Sequence, residues 1–155
     1  IGGKKIIGID TYIPKEIYKN ISKFKKLRNK IKLIKGASTN LKVFNKVKST
    51  IGKSKKIIVN LDSDHSQENV LNELNLYSKL IKKGSYLICG DTHVEFFEKN
   101  PHGYNKNYSK NNNSMTALKI FLKSKEGKKF TQDQSFQNRY LLTLNPFGFL
   151  KKIKN

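Results

Sequence analysis

Four short apolar runs, each stopping at a small or acidic residue and each separated from the next by helical spacing, constrain this chain more than any other feature. "KKIIGID" (4–10) ends at Asp10, "IKLIK" (31–35) runs into "GASTN", "KIIVNL" (56–61) stops at "DSDHS", and "GSYLICG" (84–90) stops at Asp91. After the first run, Pro14 suits the opening turn of a helix, and Ile13, Ile17, Ile21, Phe24 and Leu27 recur at spacings of three and four. Asn40 is a capping residue for a helix carrying Leu41, Phe44, Val47 and Ile51, and Val70, Leu71, Leu74, Tyr77, Leu80 and Ile81 mark a third helix. Strands that alternate with helices pair in parallel through right-handed crossovers. The expectation is therefore an α/β sheet.

Beyond Asp91 the pattern changes. Residues 91–115 contain "NKNYSKNNNS" and read as a long loop of the functional or mobile kind. A helix is predicted over Met115 to Lys123 with Ser114 as its cap. The tail offers "NRYLLTL", the turn "NPFG" and then "FLKKI", which predicts an antiparallel pair on the sheet edge.

Composition narrows the class of protein. At 155 residues the chain is one domain or part of one. Its charge of +21 at first suggests an anionic partner. Of its 32 cations, however, Arg28 and Arg139 are the only arginines, so 30 are lysine. Specific nucleic-acid readers rely on the planar arginine fork, and these lysines are scattered as a solvated surface would be. No specific nucleic acid is expected as a partner. Cys89, the single cysteine, has no internal partner for a disulfide, which fits a reducing compartment and a cytoplasmic location. No run approaches the ~20 apolar residues of a membrane span. The chain opens at Ile1 and passes through Gly2 and Gly3 straight into a strand, so an amino-terminal portion is expected upstream.

In an open α/β sheet, ligands bind beyond the carboxyl ends of the strands, and that is where the polar residues fall. Asp10 offers two acceptor oxygens to the vicinal diol of a ribose, or simply forms a turn. Gly36 and Ala37 let the backbone approach a flat ring, and Ser38 adds a hydroxyl. Asp62, Asp64 and His65 follow the third strand and Asp91 the fourth. Carboxylates from adjacent strand ends can share a magnesium ion, which takes one or two of them and keeps several waters. Asp and Ser in "DSDHS" are also good turn and helix-cap residues, and both readings stand.

Taken in order, "IIGID", "IKLIKGAST", "VNLDSDHSQENVLNEL", "GSYLICGDT", "NNNSMTALKIFL" and "YLLTLNPFGFLKKI" resemble the cephalosporin hydroxylase / rhamnosyl O-methyltransferase family over nearly the whole chain. The most specific pieces are "LDSDHS" and "LLTLNPFGFLKK". The resemblance implies a Rossmann-like methyltransferase sheet, mostly parallel with an antiparallel edge pair, and S-adenosylmethionine as methyl donor. "GAST" followed by "LD" and "GD" is also similar to the magnesium-dependent catechol O-methyltransferases. Carried over by position, the resemblance implies that Asp10 holds the cofactor ribose and that Gly36, Ala37 and Ser38 line the adenine. Asp62 and Asp91 become metal carboxylates, and His65, together with Asp62, becomes catalytic as the base for the acceptor hydroxyl. Family members commonly carry an acid immediately before Asp91, where this chain has Gly90; Asp64 and Glu95 are the nearby substitutes. They also carry a first strand and a glycine-rich turn upstream of "IIGID", so residues 1–155 are expected to be a partial methyltransferase domain lacking that strand.

The implied activity is O-methylation of a hydroxyl on a sugar, a glycan or another small polar acceptor, with oligomerisation left open. Two rivals come from other classes. Oxygenation would need two histidines and a carboxylate, for which His65, His93 and Asp64 are the candidates. A lysine-rich anion-binding module would bind an arbitrary duplex in a strongly salt-dependent way.

Overall fold

The structure, a computed structural model, describes residues 5–101, 103, 107–140 and 142–155. Gly2 and Gly3, read above as the lead into the first strand, lie outside the described residues, as do parts of the long loop and Leu141 of "NRYLLTL". The chain divides into two compact units, Ile1–Gly52 and Lys53–Asn155, each with its own sheet.

In the first unit, β1 (Ile6–Asp10) and β2 (Ile31–Lys35) pair in parallel from Ile6↔Ile31 to Asp10↔Lys35. The helix expected between them is split. α1 (Lys15–Lys23) ends at Phe24, whose φ of −103° and ψ of 87° leave the helical region, and α2 (Lys25–Arg28) then restarts. Neither piece has a buried residue, and Ile17, Phe24 and Leu27 are all exposed. A short helix whose apolar stripe gains little packing has little to hold it continuous. After β2, Asn40 caps α3 (Leu41–Ile51) as expected, its side chain accepting the Lys42 N–H at 2.8 Å. Val43, Phe44 and Val47 face the core, whereas Leu41, expected on that face, is exposed.

In the second unit, β3 (Ile58–Leu61) leads through the acidic turn into α4 (Gln67–Tyr77), and β4 (Tyr86–Cys89) returns parallel to β3 in the register Ile58↔Tyr86 to Leu61↔Cys89. α5 (Ser114–Lys123) packs on α4. Leu74, Leu87, Leu118, Phe121 and Leu150 are fully buried between sheet and helices, each worth roughly 1.5–3 kcal/mol of apolar transfer. The sheet is completed by β5 (Phe130–Gln132) and β6 (Phe149–Lys152) in the order β3-β4-β6-β5. β6 runs antiparallel to both neighbours. Among the described residues two strand pairings are thus parallel and two antiparallel: the two-stranded sheet is parallel and the four-stranded sheet of this α/β architecture is mixed.

The edge pair exists with a different partner. The described residues of "NRYLLTL" form no strand: Asn138 to Tyr140 finish α6 (Ser135–Tyr140), while Leu142 and Leu144 are exposed coil. Asp133 starts that helix by accepting both the N–H and the hydroxyl of Ser135, and Phe136 stacks on Phe149. The strand beside β6 is instead "FTQ", too short to show a period. The "NPFG" turn forms as read, with Gly148 N–H donating to Asn145 O at 2.9 Å.

Candidate functional site

Within the first unit, the strand ends bring Asp10 beside Gly36, whose N–H donates to the Asp10 carbonyl at 2.8 Å. The Asp10 carboxylate is at the surface and accepts the Tyr12 N–H at 2.9 Å, the bond of a turn-forming aspartate. Gly36 has φ 142°, and a Cβ there would stand 2.6 Å from Val43 Cγ2, so only glycine lets the chain pass from β2 towards α3. Ala37 is exposed and Ser38 half-buried on the same connection.

In the second unit, β3 delivers "DSDHS" and β4 delivers Asp91. Asp62 is largely exposed, His65 is buried at 8 % exposure, and Asp91 lies between. The His65 Nε2 is 3.2 Å from Asp91 Oδ2 and 3.7 Å from Asp62 Oδ1. Asp62, His65 and Asp91 each place one ligand atom within 4.8 Å of the others, and this is the one such cluster among the described residues. Sequence order alone separates them; the parallel pairing of β3 with β4 joins them.

His65 and Asp91 are each positioned from behind. The His65 Nδ1 faces the buried Ser114 Oγ at 3.4 Å, and the ring meets Tyr108 edge-on at 5.3 Å. Ser114 is not the helix cap expected of it. Asn113 takes that place, accepting the N–H groups of Met115 and Thr116 while Thr116 Oγ1 accepts the Asn113 N–H, a capping box. Asp91 adopts left-handed φ 51°, ψ 34°, a region that aspartate tolerates better than most residues. Its N–H donates to Asn145 Oδ1 at 2.9 Å, and the Thr92 hydroxyl donates to Pro146 O at 2.7 Å, so the "NPFG" turn clamps the end of β4. Beneath the acidic turn, Ser63 Oγ donates to the buried Glu73 at 2.7 Å.

The substitutes named for the acid missing at Gly90 are held elsewhere. Burial would raise the Asp64 carboxyl, but hydrogen bonds from Asn107 Nδ2 and the Ser66 N–H outweigh it and hold it below its ordinary value. Burial likewise opposes, and bonds from Asn113 Nδ2, the Asn111 N–H and Lys119 overcome it, at the lowered Glu95. Neither belongs to the ligand cluster, nor does His93. The His93 Nδ1 sits 2.9 Å from Leu144 O, an acceptor only, so that nitrogen carries the ring proton. Burial, then the charges of Asp91 and Asp64, raise the Tyr108 phenol. Burial, then the charge of Glu73, raise the Cys89 thiol, whose side chain is fully buried.

Sequence reasoning missed Ser114 as a partner of His65, and Tyr108, Asn107 and Asn145 as supports. Only Asn145 carried a signal, as the first residue of a recognised turn.

A carboxylate pair closed by an imidazole, at the carboxyl ends of two parallel strands, defines an α/β protein with a cation-capable centre. The sequence model of the family described as Rhamnosyl O-methyltransferase/CmcI matches residues 1–153, and the chain belongs to that family. No curated protein and no solved structure matches the chain.

Proposed function

We propose that this protein is an S-adenosylmethionine-dependent O-methyltransferase acting on a hydroxyl of a sugar or another small polar acceptor, with the Asp62, His65 and Asp91 cluster at the acceptor end. The observation that carries the reading is the position of His65 Nε2, within 3.2 and 3.7 Å of the two carboxylates, in a chain of an O-methyltransferase family.

The donor set suits a divalent cation, with Asp62 and Asp91 as carboxylate ligands and magnesium as the cation expected from the sequence. A cation held there would lower the pKa of an acceptor hydroxyl. His65 Nε2 is the group placed to take the proton of the acceptor hydroxyl, whose oxygen would receive the methyl group as the donor's carbon–sulfur bond breaks. Ser114 and Tyr108 hold the imidazole so that little reorientation is needed. S-adenosylmethionine supplies the electrophilic methyl group when bound, and its ribose is assigned to Asp10 and its adenine to Gly36, Ala37 and Ser38. The complete burial of Cys89 and the hydrogen bond from Asn107 to Asp64 favour this route over nucleophilic or oxygenase chemistry.

Incubation with methyl-labelled S-adenosylmethionine and a panel of hydroxylated sugars and phenols tests the reading. Label on an acceptor oxygen supports it. Consumption of oxygen with ferrous iron, without label transfer, would replace it with hydroxylation.

A further inference from the structure

We propose that Asp62, His65 and Asp91 form a three-donor site for a first-row transition cation of the zinc type, with His65 Nε2 as its nitrogen ligand. The inference deepens the reading above and rests on the same side chains, but it concerns the protein without donor or acceptor.

Three observations carry it. The first is spacing. The three ligand atoms lie within 4.8 Å of one another, with the imidazole at 3.2 Å from Asp91 and 3.7 Å from Asp62. Ligands held at about 2.1 Å around a tetrahedral ion stand roughly 3.4 Å apart, and the two measured separations bracket that value. Only small side-chain adjustments are required.

The second is the way the imidazole is held. His65 is more than nine-tenths buried, its ring braced by Tyr108 and its Nδ1 facing Ser114 Oγ. Ligating histidines are fixed in this manner by a partner on the other ring nitrogen. The Ser114 hydroxyl both gives and takes hydrogen bonds, so it can accept the Nδ1 proton when a cation between Nε2 and the carboxylates takes up the Nε2 lone pair.

The third is donor chemistry. Magnesium prefers an octahedron of oxygens, whereas two carboxylates and an imidazole are a borderline set that suits zinc and its neighbours. Gly90 contributes no third carboxylate and has no room for one: a Cβ there would stand 2.5 Å from the Leu61 carbonyl oxygen. Asp64 and Glu95 are bound by Asn107 and Asn113. The imidazole is thus the third donor that completes the cluster.

The consequence is competition at one atom. A nitrogen-seeking cation occupies the Nε2 lone pair that methyl transfer requires, while an oxygen-seeking cation on the carboxylates leaves it available.

Calorimetric titration of the metal-free protein with zinc chloride alone, and separately with magnesium chloride alone, tests the site. One zinc per chain is expected, bound on the order of 100-fold more tightly than magnesium. His65→Gln should weaken zinc roughly 10–100-fold and change magnesium by no more than about twofold. Circular dichroism follows the fold of this variant. Because Asp62 is exposed, Asp62→Asn spares the core and should weaken zinc by about tenfold. Zinc bound no more tightly than magnesium, or zinc affinity unchanged in Asp62→Asn or in folded His65→Gln, overturns the proposal. Absence of methyl transfer by the zinc-free, magnesium-loaded wild-type protein, with zinc binding intact in the separate titration, would instead sink the functional reading alone.

Discussion

His65 takes its orientation from a hydroxyl 49 positions further along the chain, and Asp91 takes its backbone geometry from an asparagine 54 positions away. Such long-range supports explain why the residue types of the centre were readable and their partners were not. "DSDHS" and Asp91 announce themselves as polar residues at the ends of apolar runs. Ser114 looks like any other helix-capping serine until α5 is docked. Gly90 adds a test at the same scale. Its N–H donates to the Leu61 carbonyl at 2.9 Å, and any Cβ would press on that oxygen. Gly90→Ala should therefore destabilise the second unit by about 1–3 kcal/mol and move Asp91 relative to His65. Urea melts and the zinc titration read the two effects separately.

At the scale of elements, the cap of α5 links stability to the site. Asn113 is fully buried, binds two N–H groups of the first turn, and donates to Glu95 and to the Ser109 carbonyl. Asn113→Ala should cost about 1–2 kcal/mol from the lost cap, measured by chemical denaturation, and should loosen Ser114 against His65. Elements with a clear period or a clear stop were legible: β1 to β4, α3 with its Asn40 cap, α4, α5 and the "NPFG" turn. Others were overridden by their neighbours. The apolar spacing of "NRYLLTL" suggests a strand, but Asp133 begins a helix just upstream and Phe136 stacks on Phe149, and α6 takes in the segment's first three residues. β5 has three residues, with Phe130 its single large apolar side chain, and no local signal distinguishes it. The long polar loop reads, from its sequence, as one of the functional or mobile kind. Where it is described, it is braced by bonds from Asn107 to Asp64, from the Gln67 N–H to Asn112, and from Asn113 to Glu95.

Across the second unit as a whole, the lysine excess is not uniformly a solvated coat. Lys152 is buried at 6 % exposure, donates to Glu126 Oε1 at 2.9 Å and to Ser78 O at 3.1 Å, and lies 5.1 Å over the Phe130 ring. Burial raises the Glu126 carboxyl, and hydrogen bonds from Lys152 and Lys129 overcome it, leaving the net value lowered. The stability this carboxylate contributes is therefore present above its unfolded pKa of about 4.3 and is lost as pH falls through the lowered folded value. Glu126→Gln should cost about 1–3 kcal/mol at neutral pH by leaving a buried ammonium short of its anion, and should flatten that part of the acid limb in melts followed from pH 7 to pH 3. No described helix is long and apolar enough to cross a membrane.

In the proposed reaction the acceptor hydroxyl loses its proton at the strand-end cluster. The most direct test compares single-turnover methyl transfer from S-adenosylmethionine in the wild type with that in Asp62→Asn and His65→Gln, with folding verified by thermal melts. A drop in the chemical step of roughly 100-fold or more in both variants, with unchanged melting of Asp62→Asn, is the expected result. Methyl transfer at the wild-type rate in both would contradict the assignment of the reaction to this cluster.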